Sequence, residues 1–174
     1  MERMFRPLKE CEIEVKVKQV RENGVVLLLY KTARTDMDLL DETVGPYDWT
    51  CEYREIKGNL YCGIGLKADN GETIWKWDCG IESRSDGEGN EKKGEASDAF
   101  KRAGFRWGIG RELYTAPFIW VSADKVNIVN GKKTYDKFSV ERIAYDADTG
   151  DISGLAIRND KTGKRCFVWQ RVQT

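Results

Sequence analysis

Hydrophobic and polar positions alternate from Cys11 to Gln19, with Ile13, Val15 and Val17 on one face and Glu12, Glu14, Lys16 and Lys18 on the other. A period of two predicts a half-buried strand. Arg21-Glu-Asn-Gly24 supplies a turn with the Asn-Gly pair of tight hairpins, and the apolar run from Gly24 to Tyr30 predicts a fully buried return strand. At Ala33 the period becomes helical: Met37, Leu40 and Val44 share a stripe, Asp36, Asp38, Asp41 and Glu42 fall largely off it, and Gly45-Pro46 ends the helix. Three strand-like stretches follow, Trp49 to Ile56, Leu60 to Ala68 and Thr73 to Cys79. The turns between them, Lys57-Gly58-Asn59 and Asp69-Asn70-Gly71, are short enough to make an antiparallel meander.

Residues 82–95 hold three Gly and no large apolar side chain, which predicts an exposed loop. A second helix is expected to begin in or just after that loop and to run to about Trp107, closed by Gly108 and Gly110. Phe118 to Val121 reads as a short apolar strand or a crossing of the core. Phe138 to Tyr145, Ile152 to Arg158 and Arg165 to Gln170 read as a hairpin array turning at residues 146–150 and 159–163. The pattern predicts an α+β fold with a core domain over residues 1–121 and a β-rich C-terminal subdomain over 122–174.

Composition narrows the chemistry. The 174 residues include no His, which excludes a Ser/His/Asp or Cys/His nucleophile system, a His-containing zinc site and an imidazole general base. Five Cys with no C-x-x-C pair predict free thiols in a reducing cytoplasm. The N-terminus lacks a signal-like apolar region and the longest apolar run, Val25 to Tyr30, is too short to span a bilayer, so a soluble intracellular protein without membrane contact is expected. Six Trp and 40% hydrophobic residues exclude a wholly disordered chain.

The formal net charge is zero, but it is unevenly spread. Residues 31–56 carry three cations against seven acids, whereas residues 97–111 carry Lys101, Arg102, Arg106 and Arg111 against Asp98 alone. On a helix, Phe100, Ala103, Gly104 and Trp107 share one side while Lys101, Arg102 and Arg106 lie opposite, with Phe105 and Asp98 among them. Cations with an aromatic between them suit a flexible polyanion, whose phosphates they neutralise and whose bases can stack. The same pattern also describes a solvated face with Arg favoured near the helix C-terminus. Lys16 and Lys18 either extend a basic groove or belong to a wet strand face. Gly108-Ile-Gly110-Arg111 resembles half a phosphate loop but follows a helix, as a cap does. The acids at Asp36/Asp38/Asp41/Glu42 and Glu82/Asp86/Glu88 read as metal ligands or, for the first group, as the wet face of a helix. Trp75 and Trp77, on one face of a strand, are expected in the core.

The run Ala96-Ser-Asp-Ala-Phe-Lys-Arg-Ala-Gly-Phe-Arg-Trp-Gly-Ile-Gly-Arg-Glu-Leu-Tyr114 resembles the signature helix of the Rad-fifty-two/Rad-twenty-two superfamily of single-strand annealing proteins, in its phage and bacterial branch. Upstream, Asp41-Glu-Thr-Val-Gly-Pro-Tyr-Asp-Trp49, Tyr61-Cys-Gly-Ile-Gly65 and Trp75-Lys-Trp-Asp-Cys-Gly80 extend the likeness over roughly residues 8–121 in the family's order. The resemblance implies antiparallel strands crossed by a long signature helix, a β-β-β-α core, and subunits assembled side by side into rings or filaments. It implies binding of single-stranded DNA and annealing of complementary strands in recombination and repair, with no nucleotide hydrolysis, no cofactor and no catalytic residue. Lys101 and Arg102 match the family's groove-lining pair; Arg106 and Arg111 match basic positions of the related phage motif; Phe105, Lys16 and Lys18 complete the candidate DNA contacts. Other recombination or single-strand-binding proteins are the further partners implied, in a bacterial host's cytoplasm. The chain departs from the family at Glu112, where phage relatives carry an aromatic, and at Gly104-Phe105, which replaces a small-aliphatic pair. Two other readings compete: a metal-dependent nuclease using carboxylates at 36–42 or 72–78, and a protein-interaction module whose basic helix meets an acidic partner or segment 31–56 of another copy.

Overall fold

The computed structural model describes residues 4–81 and 91–172. Its described strands are β1 (Glu14–Arg21), β2 (Gly24–Tyr30), β3 (Trp49–Ile56), β4 (Asn59–Lys67), β5 (Thr73–Cys79), β6 (Ile119–Ser122), β7 (Phe138–Tyr145), β8 (Ile152–Asn159) and β9 (Lys164–Gln170), with helices α1 (Ala33–Val44) and α2 (Glu91–Trp107). The fold is α+β and its sheets are antiparallel. The chain divides into two compact units, Met1–Arg6 with Thr32–Gly110, and Pro7–Lys31 with Arg111–Thr174. No described helix is long and apolar enough to cross a membrane.

In the first unit Thr32 caps α1, its hydroxyl accepting from the Thr35 N–H at 3.3 Å, and Gly45 ends the helix at φ 92°, a conformation that favours glycine. The buried face differs from the expected stripe. Thr35, Asp36, Leu39 and Leu40 turn inward, while Met37 is exposed. Asp36, expected on the wet side, is fully buried. Strands β3, β4 and β5 form the meander, and β3 turns into β4 through Lys57 (φ 54°) and Gly58 (φ 76°), the two left-handed residues of a tight hairpin. Helix α2 packs on β4, β5 and α1. Leu39, Leu40, Ile64 and Phe100 are fully buried in this core, each stabilising by roughly 1.5–3 kcal/mol. The Trp49 ring meets Phe100 edge-on at 6.1 Å, and the Trp107 indole N–H donates to the Ile64 carbonyl at 2.9 Å.

Helix α2 begins at Glu91, inside the stretch 82–95 expected as loop; residues 82–90 of that stretch, with the acids Glu82, Asp86 and Glu88, lie outside the described residues. It ends in a glycine cap: the Gly108 N–H donates to Phe105 O and the Ile109 N–H to Gly104 O, with Gly108 at φ 107° and Ile109 buried. The Gly108-Ile-Gly110 motif therefore terminates a helix.

In the second unit one six-stranded sheet runs in the order β6-β2-β1-β7-β8-β9. The strands of 122–174 are continuous with β1, paired through Glu14↔Ser139 and Val15↔Phe138, so the C-terminal strands do not form a sheet of their own. Cys11 and Glu12, expected in the first strand, fall in a 3-10 turn, Glu10–Glu12, and β2 is buried only over Gly24 to Leu27, with Leu28 exposed. The hairpin loop is Glu22-Asn23, since Arg21 pairs with Gly24. Gly24 is required by close approach: a Cβ there would stand 2.4 Å from the Val121 carbonyl and 2.5 Å from the Trp120 ring. Glu112 is buried, one carboxylate oxygen accepting from the Leu8 N–H at 2.8 Å. Asp136 is buried too. Its Oδ2 accepts from the Asn127 N–H and the Asn159 amide, both at 2.8 Å, and its Oδ1 lies 3.7 Å from the Lys161 ammonium.

Candidate nucleic-acid interface

The seven candidate contacts fall into both units. Lys101, Arg102, Phe105 and Arg106 lie on α2 in the first; Lys16 and Lys18 on β1, and Arg111 at the start of the 3-10 turn Arg111–Thr115, are in the second.

On α2 the division of faces follows the 3.6-residue period. Ala99, Phe100 and Ala103 are fully buried against the sheet, and Gly104 is buried against α1. An added Cβ at Gly104 would come within 2.4 Å of Asp36 Oδ2, so the small residue is what allows the carboxylate-bearing turn of α1 to approach. On the other side the Arg102 and Arg106 side chains are 45% and 56% exposed, and Lys101 29%. Phe105 is half-buried.

Each cation of this row has an acid beside it. Asp78, on β5, takes both guanidiniums: Arg106 Nε donates to Oδ2 at 3.0 Å, and Arg102 reaches Oδ1 at 3.3 Å. Partial burial alone pushes the Asp78 carboxyl up, but the Cys79 N–H, the Arg106 hydrogen bond and the charges of both arginines outweigh it and hold the group below the usual carboxylate value. Lys101 Nζ lies 3.7 Å from Asp98 one turn back. Lys76, next to Asp78 on the helix side of β5, donates to the Arg106 carbonyl at 3.2 Å and rests 4.1 Å from the Trp107 ring centre. The basic helix thus meets its acid within its own unit. The guanidiniums are half-exposed while the Asp78 side chain is 15% exposed, so the pairs stabilise modestly, by about 1 kcal/mol, and leave the cations open to another anion.

Four of the seven acids of the stretch 31–56 likewise have partners within the unit. Glu42 makes two 2.7 Å bonds to Arg6, Asp41 accepts from the Trp49 indole, Asp48 pairs with Lys67 and Glu52 with Arg54. Among the described residues no group of three or more Cys, Asp or Glu side chains could hold a metal ion.

On β1, Lys16 and Lys18 stand on the exposed side, as the alternation predicts. Lys16 lies 5.5 Å from the Tyr30 ring centre, and the Tyr30 hydroxyl donates to Glu14. Burial and the Glu14 charge push that phenol up to about 12.

The pattern of the chain misplaces one feature. Trp75 and Trp77 are not core: they are half-buried, on the face of the β3–β4–β5 sheet opposite α2. Their partners across the register are Gly65 and Gly63 of β4, and this alternation of Gly against Trp is a signal the sequence already contains. Among the described residues all five cysteines are free.

The chain matches no family model, no curated protein and no solved structure.

Proposed function

We propose that this chain binds single-stranded DNA and anneals complementary strands without nucleotide hydrolysis, acting as an oligomer. The observation that carries the reading is the outer face of α2, where Lys101, Arg102 and Arg106 are displayed over two turns while Phe100 and Ala103 anchor the helix. In this reading β3–β5 with α2 is the β-β-β-α core of the annealing family, and 122–174 supplies its small C-terminal part.

The chemistry asks for no acid, base or nucleophile. Phosphate contacts fix a backbone without reading sequence, which leaves base edges free to find a complement. A phosphate arriving at Arg102 or Arg106 replaces Asp78 as the anion. The exchange is near-balanced in the protein and is favoured by release of counterions from the nucleic acid. One net-neutral subunit offers few such contacts, and several side by side on one strand supply avidity.

The test is the double variant Lys101→Ala/Arg102→Ala, with oligo-dT binding measured by anisotropy across a salt series and annealing measured without ATP. Binding is expected to weaken at every salt concentration, with the slope of log K against log salt falling by about 2. Annealing should fall in parallel while the circular dichroism and sedimentation are unchanged. Unaltered binding by a normally folded variant overturns the site.

A further inference from the structure

The two faces of the β3–β4–β5 sheet carry different chemistry. Strand alternation sends Lys76 and Asp78 to the α2 side, where both contact the helix, and Trp75 and Trp77 to the other. There the indoles lie over the glycines of β4. A Cβ built on Gly63 would stand 2.4–2.6 Å from three ring atoms of Trp77, and one on Gly65 would stand 2.9 and 3.0 Å from the fused bond of Trp75. No other residue at 63 or 65 leaves room for the rings to lie this way. The ring planes are within 27° of parallel, their centres 5.6 Å apart, and the Arg54 guanidinium sits 4.5 Å from the Trp77 centre. Thr50, Glu52 and Arg54 on the same face of β3 are exposed, so the indoles share their side of the sheet with solvated residues.

Glycine inside a strand weakens it, and a large ring left half-exposed forgoes burial; two of each, in register, leave a flat aromatic surface beside solvated residues. We propose that Trp75 and Trp77 form a base-stacking platform for single-stranded nucleic acid, each taking one unpaired base. The proposal rests on the reading of this chain as a single-strand binder. Three observations favour bases over another occupant. The ring spacing exceeds the roughly 3.4 Å rise of a stacked strand, which suits two bases spread along an extended one. Arg54, over the Trp77 ring and paired with Glu52 at 2.8 Å, offers a guanidinium that can continue the stack and exchange that exposed acid for a phosphate. The platform and the cationic row flank the same strand, β5, within one unit, so a single backbone has cations and rings available around it.

The test compares Trp75→Leu/Trp77→Leu with the unsubstituted protein on oligo-dT and on an abasic deoxyribose-phosphate strand of equal length. The variant is expected to bind oligo-dT at least 10-fold more weakly, to bind the abasic strand unchanged, and to keep its salt slope. Trp77→Tyr, which retains a ring, should recover most of the loss. Equal weakening on both strands, or none on oligo-dT, overturns the platform. So does a change in sedimentation coefficient without a base-dependent effect, which would assign the face to a second copy of the chain. If the unsubstituted protein binds neither strand, the single-strand reading fails and the platform with it. If it binds oligo-dT with a normal salt slope and both Trp variants match it, the platform alone fails.

Discussion

Asp78 in the first unit and Asp136 in the second are built from the same parts: a carboxylate, a backbone N–H and a nearby side-chain cation, together holding the group below its ordinary value of 3.8. They differ in what surrounds them. Asp136 is buried, and the Asn159 amide that reaches it also reaches the Lys125 carbonyl at 3.1 Å, so the carboxylate ties residues 125–136 to the end of β8. Asp78 sits at the foot of two half-exposed guanidiniums whose other faces meet water. At Asp136 the carboxylate is consumed by the fold; at Asp78 the cations it holds are displayed. Burial of the cation's partner, more than the presence of a salt bridge, separates a structural carboxylate from one that can be exchanged.

The largest effect that would break this contrast is at Asp136. Asp136→Ala leaves the Asn127 N–H and the Asn159 amide without their acceptor and is expected to cost about 3–5 kcal/mol in urea unfolding. Because the folded carboxyl titrates below 3.8, its stabilisation is complete above that pH and is lost as pH falls through the lower folded value, so the gap between the two proteins should narrow in acid. A loss below 1 kcal/mol would place Asp136 with the exchangeable acids.

An intermediate effect is expected at Gly104→Ala. Helix propensity favours alanine by about 1 kcal/mol, but its Cβ would stand 2.4 Å from Asp36 Oδ2, and overpacking of that kind costs about 1–3 kcal/mol. Net destabilisation of roughly 1 kcal/mol is expected in thermal unfolding, whereas a stabilised variant would show that Asp36 yields without cost.

Asp78→Asn is expected to change stability least, within about 1 kcal/mol, and to act on binding instead. With the competing carboxylate gone, oligo-dT affinity should rise a few-fold and its salt dependence steepen. The pH sign follows from the depressed carboxyl: the unsubstituted protein approaches the variant's affinity only below 3.8. Weaker binding by the variant would make Asp78 a positioning residue for the guanidiniums.

Much of the fold is legible where local rules decide. Thr32 and Gly45 bound α1, Lys57-Gly58 fixes one hairpin, and Gly108 stops α2. What is not legible is non-local. The pairing of β1 with β7 joins residues more than a hundred positions apart, and nothing in the alternation of Glu14 and Val15 names Ser139 and Phe138 as neighbours. Hydropathy assigns Asp36 to water because it ranks a carboxylate as exposed, and the gap left by Gly104 sixty-eight residues later makes its burial possible. A period of two puts Trp75 and Trp77 on one face and ring size assigns that face to the core; the glycines opposite them are what mark it as the other side. At the candidate interface the cationic row of α2 follows from helix geometry, whereas its pairing with Asp78 required the sheet.

The order in which the chain enters its two units bears on its synthesis. It leaves the six-stranded sheet after Lys31, completes β3, β4, β5 and α2, and returns at Arg111. Every strand pairing of the three-stranded meander is therefore available once Gly110 has emerged from the ribosome. The hairpin of β1 and β2, made first, must wait for Ile119 to Ser122 before β2 gains its outer neighbour, and for Phe138 before β1 does. An early hairpin with unpaired edges is the segment most exposed to wrong partners during translation. The unit that carries Asp78 can mature while the one that carries Asp136 is still incomplete.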